Sequence, residues 1–374
     1  MSQELNDFGA MVTFAKSLTK DNGLDQMREY LYPAMYALPV SPVEEQQLLK
    51  LLTLHLETTT QAVKAEWKAY KITHPDEADN GRETQAATLV KLAEGLEFFH
   101  TPDGVAFAVI DIDGHREVYK LRSKNFRAYL QRAYYQQYGH SASVQATQDA
   151  LGTLEGKATF EGKTKNTYVR LAEYEGKVFL DLANNTWQVV EISAGSWRVL
   201  AESPVYFWRP KGLEALPVPV SGGDIQAFRQ FVNLSDEHFT LLLAYLVACL
   251  CPGIPYPVLI LTAEQGSGKS TLAKMLKALV DPSSAPLRSQ PRNPQDLMIS
   301  ASNSWLMAFD NLSNIFEWLS DALCRMSTGG GFSTRTLYAN DEETIFDATR
   351  PVVLTGITDL ATRGDLLDRA VMIE

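Results

Sequence analysis

The sequence predicts an α/β chain whose C-terminal half is built on a parallel sheet. Three observations predict it. An apolar run at residues 256–262 leads into the glycine-rich stretch Gly266-Ser267-Gly268-Lys269-Ser270-Thr271. A helical pattern at 271–280 follows that stretch. Further apolar segments at 305–309, 351–354 and 370–373 then recur between helical or polar stretches, which is the rhythm of strands joined by crossover helices.

Strand, glycine-rich turn and helix in that order are the context of a phosphate-binding loop. Glycines let the backbone curl so that successive N–H groups point inward, and the helix start adds its own unpaired donors. Gln265, Gly266, Ser267, Gly268, Lys269, Ser270 and Thr271 form the expected cradle for ATP. Lys269 is placed to reach the β- and γ-phosphates, and the Ser270 hydroxyl to bind Mg²⁺. Ala263 stands where the usual pattern starts with Gly. The plainer reading is a Gly/Ser turn before a surface helix.

Length and charge bound the rest. A chain of 374 residues has room for two or three domains. Its net charge of −11 argues against a broad basic surface that coats duplex DNA, though a few basic residues can still line a channel. Three cysteines, Cys249, Cys251 and Cys324, with no metal-type spacing, suggest reduced thiols in a cytoplasmic protein. The polar, acidic N-terminus does not resemble a secretion signal. The strongest apolar run, 239–251, is too short for a bilayer and reads as a buried helix.

Residues 1–97 read as a helical region. Ser41-Pro42-Val43-Glu44 is a capping box, opening a helix expected to run past Leu56 toward Tyr70. Residues 98–209 read as an α+β accessory domain: a hairpin turning at Asp113-Gly114, helices near 124–138 and 144–154, then four short strands. Prolines and glycines at 210–223 suggest an extended linker, with a helical pattern at 224–231 beyond it. Residues 224–374 form the expected nucleotide domain. A chain that stops on an apolar strand leaves no room for a closing helix, so the sequence reads as truncated at its C-terminus.

Asp310 follows the apolar segment 305–309, where an acid at a strand tip holds Mg²⁺ through water. A strand-ending turn at Asp310-Asn311 is the alternative. Asn311 stands next, where many such enzymes carry Glu to polarise the attacking water. Asn orients water but takes no proton, which leaves Glu317 as a possible base. Thr355 and Gly356 end the third apolar segment, where a polar group senses the γ-phosphate. Arg369 precedes the last one and suits an arginine finger reaching a neighbouring subunit; an ion pair with Asp365 or Asp368 is the alternative.

The stretch from Cys324-Arg325-Met326-Ser327-Thr328-Gly329-Gly330-Gly331 to Arg335 and Tyr338 joins these motifs. With Asp310-Asn311, Leu354-Thr355-Gly356 and Asp368-Arg369, residues 223–374 resemble the superfamily 3 helicase core. The likeness is to primase-helicase ATPases of phages, poxviruses and integrated elements, and to bacterial and prophage ATP-binding proteins. It implies a RecA/AAA+-like fold, ATP with Mg²⁺, a homo-oligomeric ring expected to be a hexamer, and single-stranded or forked DNA as partner. It also implies that Arg325, Gly329, Gly330 and Arg335 contact DNA from a hairpin. Thr355 replaces the family's usual Asn, and Arg325-Met326 its usual Lys. A mobile surface turn is the alternative for the glycines.

Two further patterns invite a reading. Arg116, Lys120, Arg122, Lys124, Arg127 and Arg132 interleave with Phe126, Tyr129, Tyr134, Tyr135 and Tyr138, which suits single-strand binding or merely an ordinary helix with buried aromatics. Asp111 and Asp113 form a primase-like pair that a hairpin turn explains more simply. The function expected is an ATP-hydrolysing replicative helicase of a phage or mobile element. A partner-remodelling ATP switch and a nucleotide-binding scaffold or defence component are the alternatives.

Overall fold

In a computed structural model the described residues are 5–21, 23–38, 40–73, 84–330, 332–335, 343–346, 349–357, 360–361 and 363–374; for Pro42, Ile72 and the strands at 332–335 and 343–346 this covers the backbone. They fall into two compact units, Met1–Thr88 and Leu89–Glu374, where the sequence suggested breaks near 97, 210 and 223.

The first unit is helical. Its elements include α1 (Phe8–Ser17), α2 (Tyr32–Ala37), α3 (Pro42–His55) and α4 (Thr60–Thr73). The capping box is formed: the Ser41 hydroxyl accepts from the Glu44 N–H, and the Glu44 carboxylate accepts from the Ser41 N–H. The single long helix expected from Ser41 to Tyr70 is instead two. Glu57 turns left-handed at φ 48°, and Thr59 caps a new start by accepting from the Ala62 N–H. Trp67 stacks on Tyr70 and both pack against Tyr32.

The second unit opens with strands β1 (Glu97–His100), β2 (Ala106–Ile112) and β3 (His115–Lys120), then helices α5 (Lys124–Tyr138) and α6 (Val144–Phe160), and a short β4 (Lys163–Thr164). The sheet order is β3-β2-β1-β4. Asp113 takes φ 51° and Gly114 φ 81°, the left-handed pair that a tight hairpin turn needs, so Asp113 belongs to the turn and Asp111 to β2, opposite Arg116. A meander follows: β5 (Leu171–Tyr174), β6 (Lys177–Asp181), β7 (Val189–Ser193) and β8 (Ser196–Leu200).

The first half of the stretch expected to be a linker is a strap held by backbone hydrogen bonds. Glu214 N–H donates to Pro282 O, Leu216 N–H to Leu182 O, and Ser284 N–H to Gly212 O. Leu216 is buried. The pattern at 224–231 is a 3-10 helix, Ile225–Phe231.

Next come α7 (Asp236–Cys249), β9 (Val258–Thr262), α8 (Lys269–Val280), α9 (Pro294–Ser302), β10 (Met307–Leu312) and α10 (Glu317–Thr328). A hairpin of β11 (Phe332–Arg335) and β12 (Glu343–Phe346) leads to β13 (Val352–Gly356), α11 (Gly364–Leu367) and β14 (Ala370–Ile373). The central sheet runs β10-β13-β9-β14 with every pairing parallel. All five residues of β9 and of β13 are buried, as expected for strands covered on both faces. Alternation splits their side chains. Val258, Ile260, Val352 and Leu354 face Leu319, Leu323 and Met326 of α10. Leu259, Leu261 and Val353 face Leu242 and Tyr245 of α7 and Ala273 and Leu276 of α8. The architecture is therefore mixed α/β, with a parallel sheet between helical layers.

Candidate functional site

The C-terminal ends of β9, β10 and β13 meet beside the glycine-rich loop. Gly266 has φ 83° and Gly268 φ 93°, conformations open to glycine at little cost, and Gly268 delivers the chain into α8. The first turn of α8 carries Lys269, Ser270 and Thr271, whose N–H groups are the helix-start donors without intrahelical acceptors. Lys269 Nζ folds back over the loop. It donates to Ala263 O and Glu264 O, both at 2.6 Å, and to Ser267 Oγ at 3.1 Å.

Asp310 lies within β10 rather than after it. The strand extends to Leu312 through an irregularity between Phe309 and Leu312, and Asn311 there takes φ 57°. This kink leaves Asn311 exposed and turns Asp310 toward α8. Ser270 Oγ donates to Asp310 Oδ1 at 2.7 Å, and Thr355 Oγ1 donates to the same oxygen. Thr355 Oγ1 also accepts from the Asn311 N–H at 3.0 Å, and the Thr355 side chain is buried. The hydroxyl expected to face a γ-phosphate hydrogen-bonds to Asp310. Glu317 is exposed at the first residue of α10.

A cleft of about 390 Å³ opens beside the loop, between Phe231–Leu234, Leu272 and the end of β14. Thr262 Oγ1 lines it and is buried without a hydrogen-bond partner among the described residues. Neither is among the features expected from the sequence. A Thr closing an otherwise aliphatic strand was the available signal.

Arg325, Gly329, Gly330 and Arg369 lie at the opposite end of the sheet from the loop. Tyr256 N–H donates to Ser327 O and Val258 N–H to Arg369 O, which puts the end of α10 and Arg369 at the start of β9. Five residues of strand, about 16 Å, separate that end from the loop. Arg369 is exposed, and its Nη1 donates to Asp365 O at 2.8 Å. The alternative, an ion pair of Arg369 with Asp365 or Asp368, is not formed among the described residues; Arg363 pairs with Asp365 and Asp321. Arg325 is exposed in the last turn of α10. Gly329 ends that helix at φ 81°, and the Gly330 N–H donates to Arg325 O. These two glycines close a helix rather than form a loose turn. Arg335 ends β11 opposite Glu343. Gly331 and the expected residues at 336–338 lie outside the described residues.

Behind the loop helix sits a buried charge cluster. Lys277 Nζ donates to Asp281 Oδ2 and Leu306 O, both at 2.6 Å. Asp281 also accepts from Arg170 and from the N–H groups of Trp305 and Leu306. Burial pushes the Lys277 and Arg170 pKa values down. Burial alone would raise Asp281, but Lys277 and Arg170 outweigh it and hold its carboxyl below the usual range. Lys277 falls on the buried stripe Ala273, Leu276, Val280, with Asp281 four residues on. A lysine on that apolar stripe is the sequence signal of the cluster.

Among the described residues no three His, Cys, Asp or Glu side chains converge on a metal-type site, and no helix is long and apolar enough to cross a membrane.

The fold and site define a mixed α/β protein with a glycine-rich loop at the C-terminal edge of a parallel sheet. Residues 225–374 match the family described as Actinomycete integrative conjugative element replication protein (AICE_RepA). No curated protein sequence matches the chain. Among solved structures, the chain is similar to the A form of the apo NrS-1 C-terminal region, at 14% identity, 78% of this chain, 61% of that one and a TM-score of 0.38. A second apo structure of that region matches at 13% identity, 78% and 62% coverage and a TM-score of 0.37. The chain spans about three fifths of the structures it matches.

Proposed function

We propose that this chain is an ATP-binding and ATP-hydrolysing motor that acts on DNA, assembled as a homo-oligomeric ring, a hexamer, in the replication of a mobile element. The observation that carries the proposal is the convergence of Ser270, Asp310 and Thr355 beside the loop 265–271. Loop amides and Lys269 would hold the phosphates once Lys269 releases Ala263 and Glu264. The cleft beside Phe231 and Leu272 would take the rest of the nucleotide. Ser270 Oγ and the Asp310 carboxylate are hard oxygen donors, a set that fits Mg²⁺ completed by phosphate and water oxygens. Bound there, the ion would neutralise phosphate charge; Thr355 would keep the Asp310 carboxylate aimed.

Arg369 is too far from the loop of its own chain to serve it, and its exposure suits a role on a neighbour's nucleotide. Arg325, Gly329, Gly330 and Arg335 would meet DNA, the first three at the end of the sheet remote from the loop. The similarity of residues 225–374 to replication proteins of integrative elements supports the setting.

The test is ATP turnover with and without single-stranded DNA, in wild type and Lys269→Ala, followed by unwinding of a forked duplex. DNA-stimulated turnover that vanishes in Lys269→Ala supports a motor, and turnover indifferent to DNA sinks it. One observation favours a second reading, a switch or scaffold that binds ATP with little turnover. Asn311 stands beside Asp310, and no carboxylate besides Asp310 hydrogen-bonds in the cluster among the described residues. That reading predicts tight ATP binding with negligible hydrolysis.

A further inference from the structure

We propose that the outer face of α5 binds single-stranded DNA through its cations and two exposed tyrosines. The helix Lys124–Tyr138 contains Lys124, Arg127 and Arg132 and no Asp or Glu, in a chain of net charge −11. Its inner face is spoken for: Phe126, Leu130 and Tyr134 are buried in the core of the module. The outer face carries what is left. At 100° per residue, Lys124, Arg127, Tyr135 and Tyr138 fall within about 80° of one another, and Arg132 flanks them. All five are exposed, Tyr135 at 57% and Tyr138 at 42%.

The three cations are uncommitted. None of them forms an ion pair among the described residues, whereas nearby Arg122 is held by Glu155 and Arg116 by Glu97 and Glu202. Tyr138 is also preorganised. Its ring lies 4.7 Å from Tyr134 and 6.4 Å from His140, and Tyr134 lies 5.6 Å from His140. An aromatic face held in place beside unpaired cations matches the two needs of a single strand, base stacking and phosphate neutralisation. Duplex bases are already stacked and have less use for a tyrosine face. The choice of DNA over RNA rests on the motor reading; the surface itself does not depend on nucleotide.

The experiment is fluorescence anisotropy of a labelled oligothymidylate with the full chain, without nucleotide, over a range of salt. Two variants are compared with wild type: Lys124→Gln/Arg127→Gln/Arg132→Gln and Tyr135→Ala/Tyr138→Ala. The charge variant should flatten the slope of log K against log salt by about 2, since each single-strand phosphate contact contributes about 0.7. The tyrosine variant should weaken binding at least tenfold with the slope unchanged. Wild-type binding in both variants, no binding by wild type, or binding of duplex or RNA as tight as that of single-stranded DNA overturns the proposal. ATP turnover measured without DNA should be unchanged in both variants. Loss of DNA binding with turnover intact therefore separates this surface from the loop, and a wild type that binds through α5 but does not hydrolyse ATP fails the motor reading alone.

Discussion

Arg170 Nε donates to Asp281 Oδ1 at 3.1 Å across 111 residues of sequence, and both side chains are fully enclosed. Arg170 also donates to Asp181 O, Glu214 O and Pro282 O. One guanidinium thus ties the meander, the strap and the end of the loop helix together. It does so from a left-handed backbone at φ 66°. The pair explains why the strap is part of the fold instead of a hinge.

Asp281→Asn should therefore destabilise the protein by about 3–5 kcal/mol, because Lys277 and Arg170 would stay buried with their charge uncompensated. Chemical denaturation measures it. The pH dependence follows from the depressed Asp281 pKa. A carboxylate with a lowered folded pKa contributes its full stability above the unfolded value, about pH 4, and loses it as pH falls through the folded one. The gap between wild type and Asp281→Asn should narrow as pH drops below about 4. A gap constant down to pH 2 would contradict this assignment.

Thr355→Val keeps the volume of the side chain and removes the hydroxyl between Asn311 and Asp310. Outer-shell partners of this kind typically matter 10–100-fold for metal affinity. A Mg²⁺ titration of nucleotide binding should shift by about that factor in Thr355→Val and recover in Thr355→Ser. If valine leaves the titration unchanged, Thr355 does not orient Asp310.

Gly356 closes β13 at a tight approach. An added Cβ would lie 2.8 Å from the Leu360 side chain and 2.9 Å from Leu312 O. Gly356→Ala should cost about 1–3 kcal/mol, since backbone has to move to admit it. The drop is read in the same denaturation assay.

Cys249 is buried in α7, and that burial pushes its thiol up to about 12. At pH 8 a thiol of that pKa is almost wholly protonated, and the thiolate is the reactive form. Native alkylation followed by peptide mass analysis should leave Cys249 unmodified, with labelling appearing on denaturation. Rapid native labelling would show that α7 is not packed as described.

The sheet was legible because strands buried on both faces are written as continuous apolar runs, as at Val258–Thr262 and Val352–Gly356. Lys269, Ser270, Asp310 and Thr355 were legible because each follows or ends such a run. Their pairing was not. The kink at Asn311 that turns Asp310 toward Ser270 depends on a backbone angle that no periodicity records. The break after Leu56 was hidden because Val63, Trp67 and Tyr70 continue an apolar stripe across it. Arg170 and Asp281 lie too far apart in sequence for any local pattern to join them.

The buried strand β9 joins two places that never touch. Its end delivers the loop that holds Lys269, and its start accepts Arg369 O through the Val258 N–H. Paired on both sides by β13 and β14, it has no slack to stretch or slide. Close-packed interiors pass strain on instead of absorbing it. The strand is in effect a connecting rod, a stiff link between the loop and the far end of the sheet.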